Sequence, residues 1–272
     1  MQGRNIEGSA YGTARSLLAE LGLRPLSARS VIASILLGTH PPRLSAAALV
    51  DMCARFGISG GTTRVALSRM VAAGELLAED DAHYRLIGEA LLSRQRAQDV
   101  ALAPPAAAWS GAWRMAVVVS AGRAAADRVE LRRALADARF AEWREGVWLR
   151  PDNLGPSPGD QLPQAPVRWL TVHPDGSPRE LAGELWDLPG WVAAGDALLA
   201  AAPAEPGDLL TAPPERAANV FAAAAASVSL LRTDPLLPAA LLPPGWPAER
   251  LRARYAAYIE AIQALVRRAS AS

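Results

Sequence analysis

No lysine occurs anywhere in this chain; its 28 basic residues are all arginine. A phosphate-cradling loop that ends in lysine is therefore excluded. With the abundance of alanine, the missing lysine reads as a GC-rich coding bias, so no single arginine is taken as a deliberate replacement. Cysteine is nearly absent too. Cys53 stands alone, no disulfide can close within the chain, and that usage fits a reducing cytoplasm. Leu49, Met52 and Phe56 share a helical face with it, which makes Cys53 a small core residue. The three histidines, His40, His83 and His173, fall in loops or a turn without metal-ligand spacing, so no metal site is expected. Charge of one sign is lacking as well: 28 basic residues face 27 acidic ones, which rules out a basic coat for nucleic acid. No apolar run approaches the roughly 20 residues that span a bilayer. The opening Met1-Gln2-Gly3-Arg4-Asn5 leads into no signal-peptide core, and the expectation is a cytoplasmic protein without a membrane partner.

What is present is proline in four clusters: Pro104-Pro105, 151–166, 203–214 and 235–247. Proline lacks a donor and fixes its backbone angle, so such stretches interrupt helices and central strands. They predict three units, 1–103, 104–175 and 176–272. No repeat at a fixed period is visible.

The first unit reads as helices followed by a hairpin. Ser27 can cap a helix bearing Val31, Ile32, Ile35 and Leu36 that ends at Gly38 before Pro41-Pro42. Ser45 can cap a second, whose Leu49, Met52, Cys53 and Phe56 follow helical spacing, with Gly57 placed to end it. After Ile58-Ser59-Gly60-Gly61 a third helix starts near Thr62, with the apolar seam Leu67, Met70 and Val71, and stops at Gly74. Leu76-Leu77-Ala78 and Tyr84-Arg85-Leu86-Ile87 flank the acidic turn from Glu79 to His83 and read as a hairpin. Helix, helix, glycine turn, helix, hairpin is the order of a winged helix-turn-helix, whose second motif helix enters the major groove. Opposite the seam, that helix carries Thr62, Val65, Ser68, Arg69 and Ala72, with Arg64 on the flank; these are small, neutral or cationic groups without a carboxylate. The Glu79-Asp80-Asp81 turn argues against a wing tip on phosphates, and Arg85 is the better candidate there.

The middle unit changes character. Met115 to Val119, Gly146 to Arg150 and Val167 to Val172 read as short strands. Arg128 to Ala136 reads as a helix with Val129, Leu131 and Leu135 apolar, so a small α+β sandwich is expected. The last unit is mostly helical, with candidate helices Pro178–Trp191, Gly195–Ala201, Pro214–Leu231 and Pro247–Arg268. On the last of these, Tyr255, Ile259, Ile262 and Leu265 or Val266 form one apolar face.

Several stretches, in order along the chain, resemble the PaaX family of regulators. They are Ala28-Arg29-Ser30-Val31-Ile32, Thr63-Arg64-Val65-Ala66-Leu67-Ser68-Arg69-Met70, Tyr84-Arg85-Leu86, Trp109-Ser110-Gly111-Ala112-Trp113-Arg114, Gly146-Val147-Trp148-Leu149-Arg150-Pro151 and Asp234-Pro235-Leu236-Leu237-Pro238 with Leu241-Leu242-Pro243 and Trp246-Pro247. The resemblance implies an α+β multidomain protein. Its parts would be an N-terminal winged helix-turn-helix, a central ferredoxin-like domain similar to a small CRISPR-associated nuclease, and a helical C-terminal domain. It implies a homodimeric repressor of aromatic-acid catabolism, released by an aryl-acyl-CoA of the phenylacetyl-CoA type. By the same carry-over Arg64, Ser68 and Arg69 lie on the DNA-reading helix. The chain departs from an active nuclease at the end of its first middle strand, Val119-Ser120-Ala121-Gly122, where no carboxylate occurs until Asp127. A metal-dependent nuclease or a CoA-thioester enzyme is the alternative, and no cofactor is expected. All eight tryptophans lie beyond residue 103, where packing competes with an aromatic-lined acyl pocket. The residues considered for such a pocket are Trp113, Arg114, Trp143, Arg144, Trp148 and Arg150, the arginines facing CoA phosphates.

Overall fold

The computed structural model describes residues 27–104, 108–119, 125–155, 167–201 and 213–270. Its chain divides into two units. One comprises Met1–Leu102, Gly195–Arg232 and Ala248–Ser272; the other comprises Ala103–Ala194 and Thr233–Pro247. The three consecutive blocks expected from the proline clusters are thus not what clusters in space. The stretch 176–272 is shared between two units, because its long helices bury their apolar faces against N-terminal helices rather than against each other alone. Pro105, Ser120, Ala121 and Gly122 lie outside the described residues.

In the first unit, α1 (Ala28–Leu37) is opened by a reciprocal cap between Ser27 and Ser30 and closed at Gly38, whose N–H reaches the Ile35 carbonyl at 3.1 Å. A short strand that has no sequence signature follows, β1 (Arg43–Ser45). Then come α2 (Ala46–Arg55), capped by Ser45, and α3 (Gly60–Ala72), whose cap is Ser59; Ser59 Oγ accepts from the Thr62 N–H at 3.2 Å, which places the start of α3 two residues before Thr62. Gly74 takes φ of 69°, and the chain turns there into β2 (Leu76–Ala78) and β3 (His83–Leu86). The sheet is antiparallel in the order β1-β3-β2, with Leu44, Leu76 and Leu86 directed inward.

Helix α4 (Glu89–Leu102) has no clear apolar stripe, because two of its buried side chains are glutamines. Gln95 donates to the Leu37 and Thr39 carbonyls at 3.1 and 3.2 Å, supplying partners that the end of α1 lacks. Gln98 donates to the Tyr255 hydroxyl at 2.8 Å, and burial pushes that phenol up to about 12.

Two later helices, between residues 214 and 270, complete this core. The second unit contains β4 (Trp113–Val118), α5 (Ala125–Asp137), β5 (Ala141–Arg144), β6 (Val147–Pro151), β7 (Val167–Val172) and α6 (Pro178–Leu185). Its antiparallel sheet runs β5-β6-β4-β7. Trp113, Met115, Leu149 and Val172 share one face and pack with Ala182, Leu188, Leu237 and Leu241; Ala116, Val118, Trp148, Val167 and Trp169 share the other and pack with Leu131 and Leu135 of α5. Of the three apolar residues read on α5, Val129 is 68% exposed, and Leu131 and Leu135, four apart, are the buried ones among the described residues.

The expected helix from Pro178 to Trp191 is broken. α6 stops at Leu185, and α7 (Leu188–Ala201) absorbs the segment expected as a separate Gly195–Ala201 helix. The cause is Pro189, which cannot sit in a helix interior but fits a first turn. Asp187 Oδ1 accepts from the Gly190 N–H at 2.9 Å and caps the restart. α8 (Pro214–Leu231) and α9 (Ala248–Ser270) agree with the sequence pattern and return to the first unit's core. Phe221 of α8 meets Phe56 with ring centroids 5.0 Å apart. The end of α1 comes so near α9 that a Cβ on Gly38 would stand 2.8 Å from Ile259 Cδ1. No helix among the described residues is long and apolar enough to cross a membrane.

Candidate nucleic-acid interface

Among the described residues, helix α3 is held from one side. Thr63, Leu67 and Met70 are buried, and Thr63 Oγ1 donates to the Ser59 carbonyl at 3.0 Å, which seats the first turn. Val71, expected in the seam, is half-buried. Thr62, Arg64, Val65, Ser68, Arg69 and Ala72 are all exposed, so the outward face anticipated from spacing exists as one surface. No aspartate or glutamate lies in the helix. Residues 56–59 form the turn from α2, with Gly57 at φ of 75°. An open groove of about 630 Å³ runs beside α3, lined by Thr62, Val65, Ala66 and Arg69 on one wall and by Ser27 and Arg29 on another.

Arg29 was not anticipated as part of this surface. Its guanidinium forms a two-pronged ion pair with Glu75, with Nε to Oε2 at 3.0 Å, across 46 residues of sequence. The pair neutralises the carboxylate that follows α3 and ties α1 to the start of the hairpin.

The hairpin differs from its sequence reading. Arg85 does not stand free for a phosphate: its Nε donates to Glu79 Oε1 at 2.8 Å. Arg43 Nε donates to Glu79 Oε2 at 2.6 Å and its Nη2 reaches Asp81, while His83 Nδ1 lies 3.1 Å from Asp81 Oδ2. Register explains the cluster, since Arg43 faces Arg85 across β1 and β3 with Glu79 between their guanidinium groups. The turn is therefore not the bare acidic tip that composition suggests. Arg43 escaped the sequence reading because a three-residue strand after Pro41-Pro42 carries no periodic signal. Arg85 and Arg43 together hold the Glu79 carboxyl below the usual carboxylate range. A depressed folded-state value stabilises the fold above the unfolded-state value, and that contribution disappears as pH falls through the folded-state value. In acid titrations followed by circular dichroism, wild type should therefore lose stability more steeply than Glu79→Gln through the carboxylate range. Parallel curves would dismiss the network as a source of acid sensitivity.

The six side chains considered for an acyl pocket do not converge. Trp113 is fully buried between Trp109 and Trp186, each 6.4 Å away by ring centroid. Trp148 is buried on the opposite sheet face. Trp143 is exposed on edge strand β5, with Arg144 5.4 Å from its ring centroid. Only Arg114 and Arg150 are cross-strand neighbours. Arg114 donates to Thr171 Oγ1 at 2.9 Å. Arg150 is buried, donates to the Ala138 carbonyl at 3.1 Å and stacks 5.0 Å from the Phe140 ring; burial pushes its guanidinium down. Among the described residues, no three His, Cys, Asp or Glu side chains gather where they could hold a metal ion.

Two family models match this chain in order. The model described as PaaX-like protein covers residues 27–90, and that of the PaaX protein central Cas2-like domain covers 106–170. The chain belongs to the PaaX family. It is thereby a PaaX-type regulator, a class for which transcription regulation and DNA binding are the common activity. The first PaaX segment contains the whole of α1 to α3 and the hairpin; the second contains β4 to β6, α5 and most of β7. Among solved structures, an uncharacterized protein, Rv0674 from Mycobacterium tuberculosis, is 44% identical, with a TM-score of 0.72 over 90% of this chain and 100% of that one. No curated protein matches.

Proposed function

We propose that this PaaX-family chain is a transcription repressor that binds operator DNA through a winged helix-turn-helix in its first unit. In this reading α2, residues 56–59 and α3 are the helix-turn-helix, and the β2-β3 hairpin is the wing. One observation carries it: the outward face of α3 presents Thr62, Arg64, Val65, Ser68 and Arg69 without a carboxylate, on a helix anchored from behind by Thr63, Leu67 and Met70. Arg85 contributes through the Glu79 ion pair that shapes the wing rather than as a free phosphate contact. One such helix covers only a few base pairs, so the repressor acts as a cytoplasmic homodimer on two half-sites.

The second unit is read as ferredoxin-like. β4 and β5 are both antiparallel to β6, which lies between them, with α5 in the β4-to-β5 connection; that is a split βαβ unit. The effector assignment, an aryl-acyl-CoA such as phenylacetyl-CoA that relieves repression of aromatic-acid catabolic genes, rests on the family alone. Of the side chains considered for it, Arg114 and Arg150 alone are direct cross-strand neighbours. Release requires that the thioester prefer the conformation that does not bind DNA.

A mobility-shift assay on DNA upstream of its own gene tests the proposal. Arg69→Ala should weaken specific binding by about 1–3 kcal/mol, and Arg64→Ala should weaken binding more evenly across sequences. Phenylacetyl-CoA should lower operator affinity by about 5- to 150-fold, with free CoA and phenylacetate far less effective. Unchanged affinity in both variants removes α3 from the interface. A thioester without effect removes the effector assignment and leaves the DNA reading intact.

A further inference from the structure

The outward face of α3 is not uniformly polar. Thr63, Leu67 and Met70 fix its inner meridian, and at about 100° per residue Val65 and Ala72 fall on the opposite one. Val65 is 51% exposed there. The flanks are polar: Arg64 and Ser68 stand on one side, Thr62 and Arg69 on the other. Beyond Thr62 and Arg69 the surface falls into the groove towards Ser27 and Arg29, so nothing among the described residues covers the valine. When a helix seats in the major groove, its outermost meridian faces the base edges and its flanks face the backbones. Arg64, about 100° round the helix from Val65, suits a phosphate, and Arg69, about 40° round, can still reach a base edge, but an isopropyl group at the centre cannot hydrogen-bond to any base. One major-groove group is apolar, the 5-methyl of thymine.

We propose that Val65 is a specificity-determining residue that reads a thymine through its 5-methyl group, and that each operator half-site carries a T·A pair beneath it. The inference rests on the DNA-binding reading of α3. The chemistry is a methyl-on-methyl contact that excludes water; it needs no hydrogen bond and is blind to everything about the pair except the methyl group. Val65 is exposed, so trimming it leaves the core intact.

The test uses the full-length protein and a duplex enriched from a random-sequence library by the wild-type protein. Each thymine is replaced singly by deoxyuridine, which deletes only the methyl group, and affinity is read by fluorescence anisotropy. For wild type, one position per half-site should lose about fourfold, the worth of one buried methyl. Val65→Ala should bind thymine and deoxyuridine equally at that position, with an unchanged melting temperature. Tolerance of deoxyuridine everywhere, or an equal penalty in Val65→Ala, overturns the proposal. If Arg64→Ala and Arg69→Ala still weaken binding in that case, the helix remains in the interface and only the methyl reading falls. If neither does, or if no duplex is enriched, both fall together.

Discussion

A fragment ending at residue 103 should fail to fold as an independent DNA-binding domain. The helix-turn-helix is contiguous in sequence, but its core is not. Val31, Ile32, Leu36, Leu49, Met52 and Phe56 pack in one cluster with Val220, Phe221, Val228, Tyr255, Tyr258, Ile262 and Leu265 from α8 and α9. Removing one buried aromatic such as Phe221 costs about 3–5 kcal/mol, against a total stability for an ordinary domain of about 5–15 kcal/mol. The fragment loses two helices of such contacts at once. It also strands Gln98, whose amide donates to Tyr255, and the Ala101 carbonyl, which accepts from Arg252 at 2.9 Å. Thermal melts should show no cooperative transition for the fragment and one for the whole chain. A fragment that melts cooperatively within a few degrees of the full-length protein, with the same operator affinity, would contradict this assignment of the core.

Trp113→Ala should destabilise the second unit by about 3–5 kcal/mol, whereas Trp143→Ala should change it by about 0.5 kcal/mol or less. Trp113 sits at the start of the central strand with no exposed surface, and its ring is flanked by Trp109 and Trp186. Truncation leaves a cavity that neighbouring strands β6 and β7 cannot close, because both are fixed to β4 by backbone pairing. Trp143 lies half-exposed on an edge strand at a register shift, with its own neighbour Arg144 over its ring. Urea unfolding of the two variants against wild type decides it. A Trp113 variant as stable as wild type would show that this tryptophan is available for a ligand after all.

Helices α1 to α3 and the β2-β3 hairpin were legible in sequence, and for local reasons. Serine caps at 27 and 45, glycines at 38, 57 and 74 and the apolar seam of α3 act within a few residues, so their signals sit close together in the chain. α4 was not legible, because Gln95 and Gln98 are buried for hydrogen bonds to groups far along the chain, and a glutamine reads as solvated. The break at Pro189 was legible in principle: Asp187-Leu188-Pro189 is a capped helix start, and the apolar content around it concealed the signal.

By itself, the sequence determined helices α1 to α3, α5, α8 and α9, which face of α3 is left outward, and membership in the PaaX family. Only the tertiary structure decided that residues 176–272 serve two units, that Arg43 and Arg85 share Glu79, and that the tryptophans of β4, β5 and β6 part to different surfaces. The reason is physical. Helix periodicity and capping are properties of neighbouring residues, whereas the partner of an apolar face or a guanidinium depends on which distant segment arrives beside it. Nothing in the spacing of Tyr255, Ile259 and Ile262 says that they will close over α1 and α2 rather than over α6.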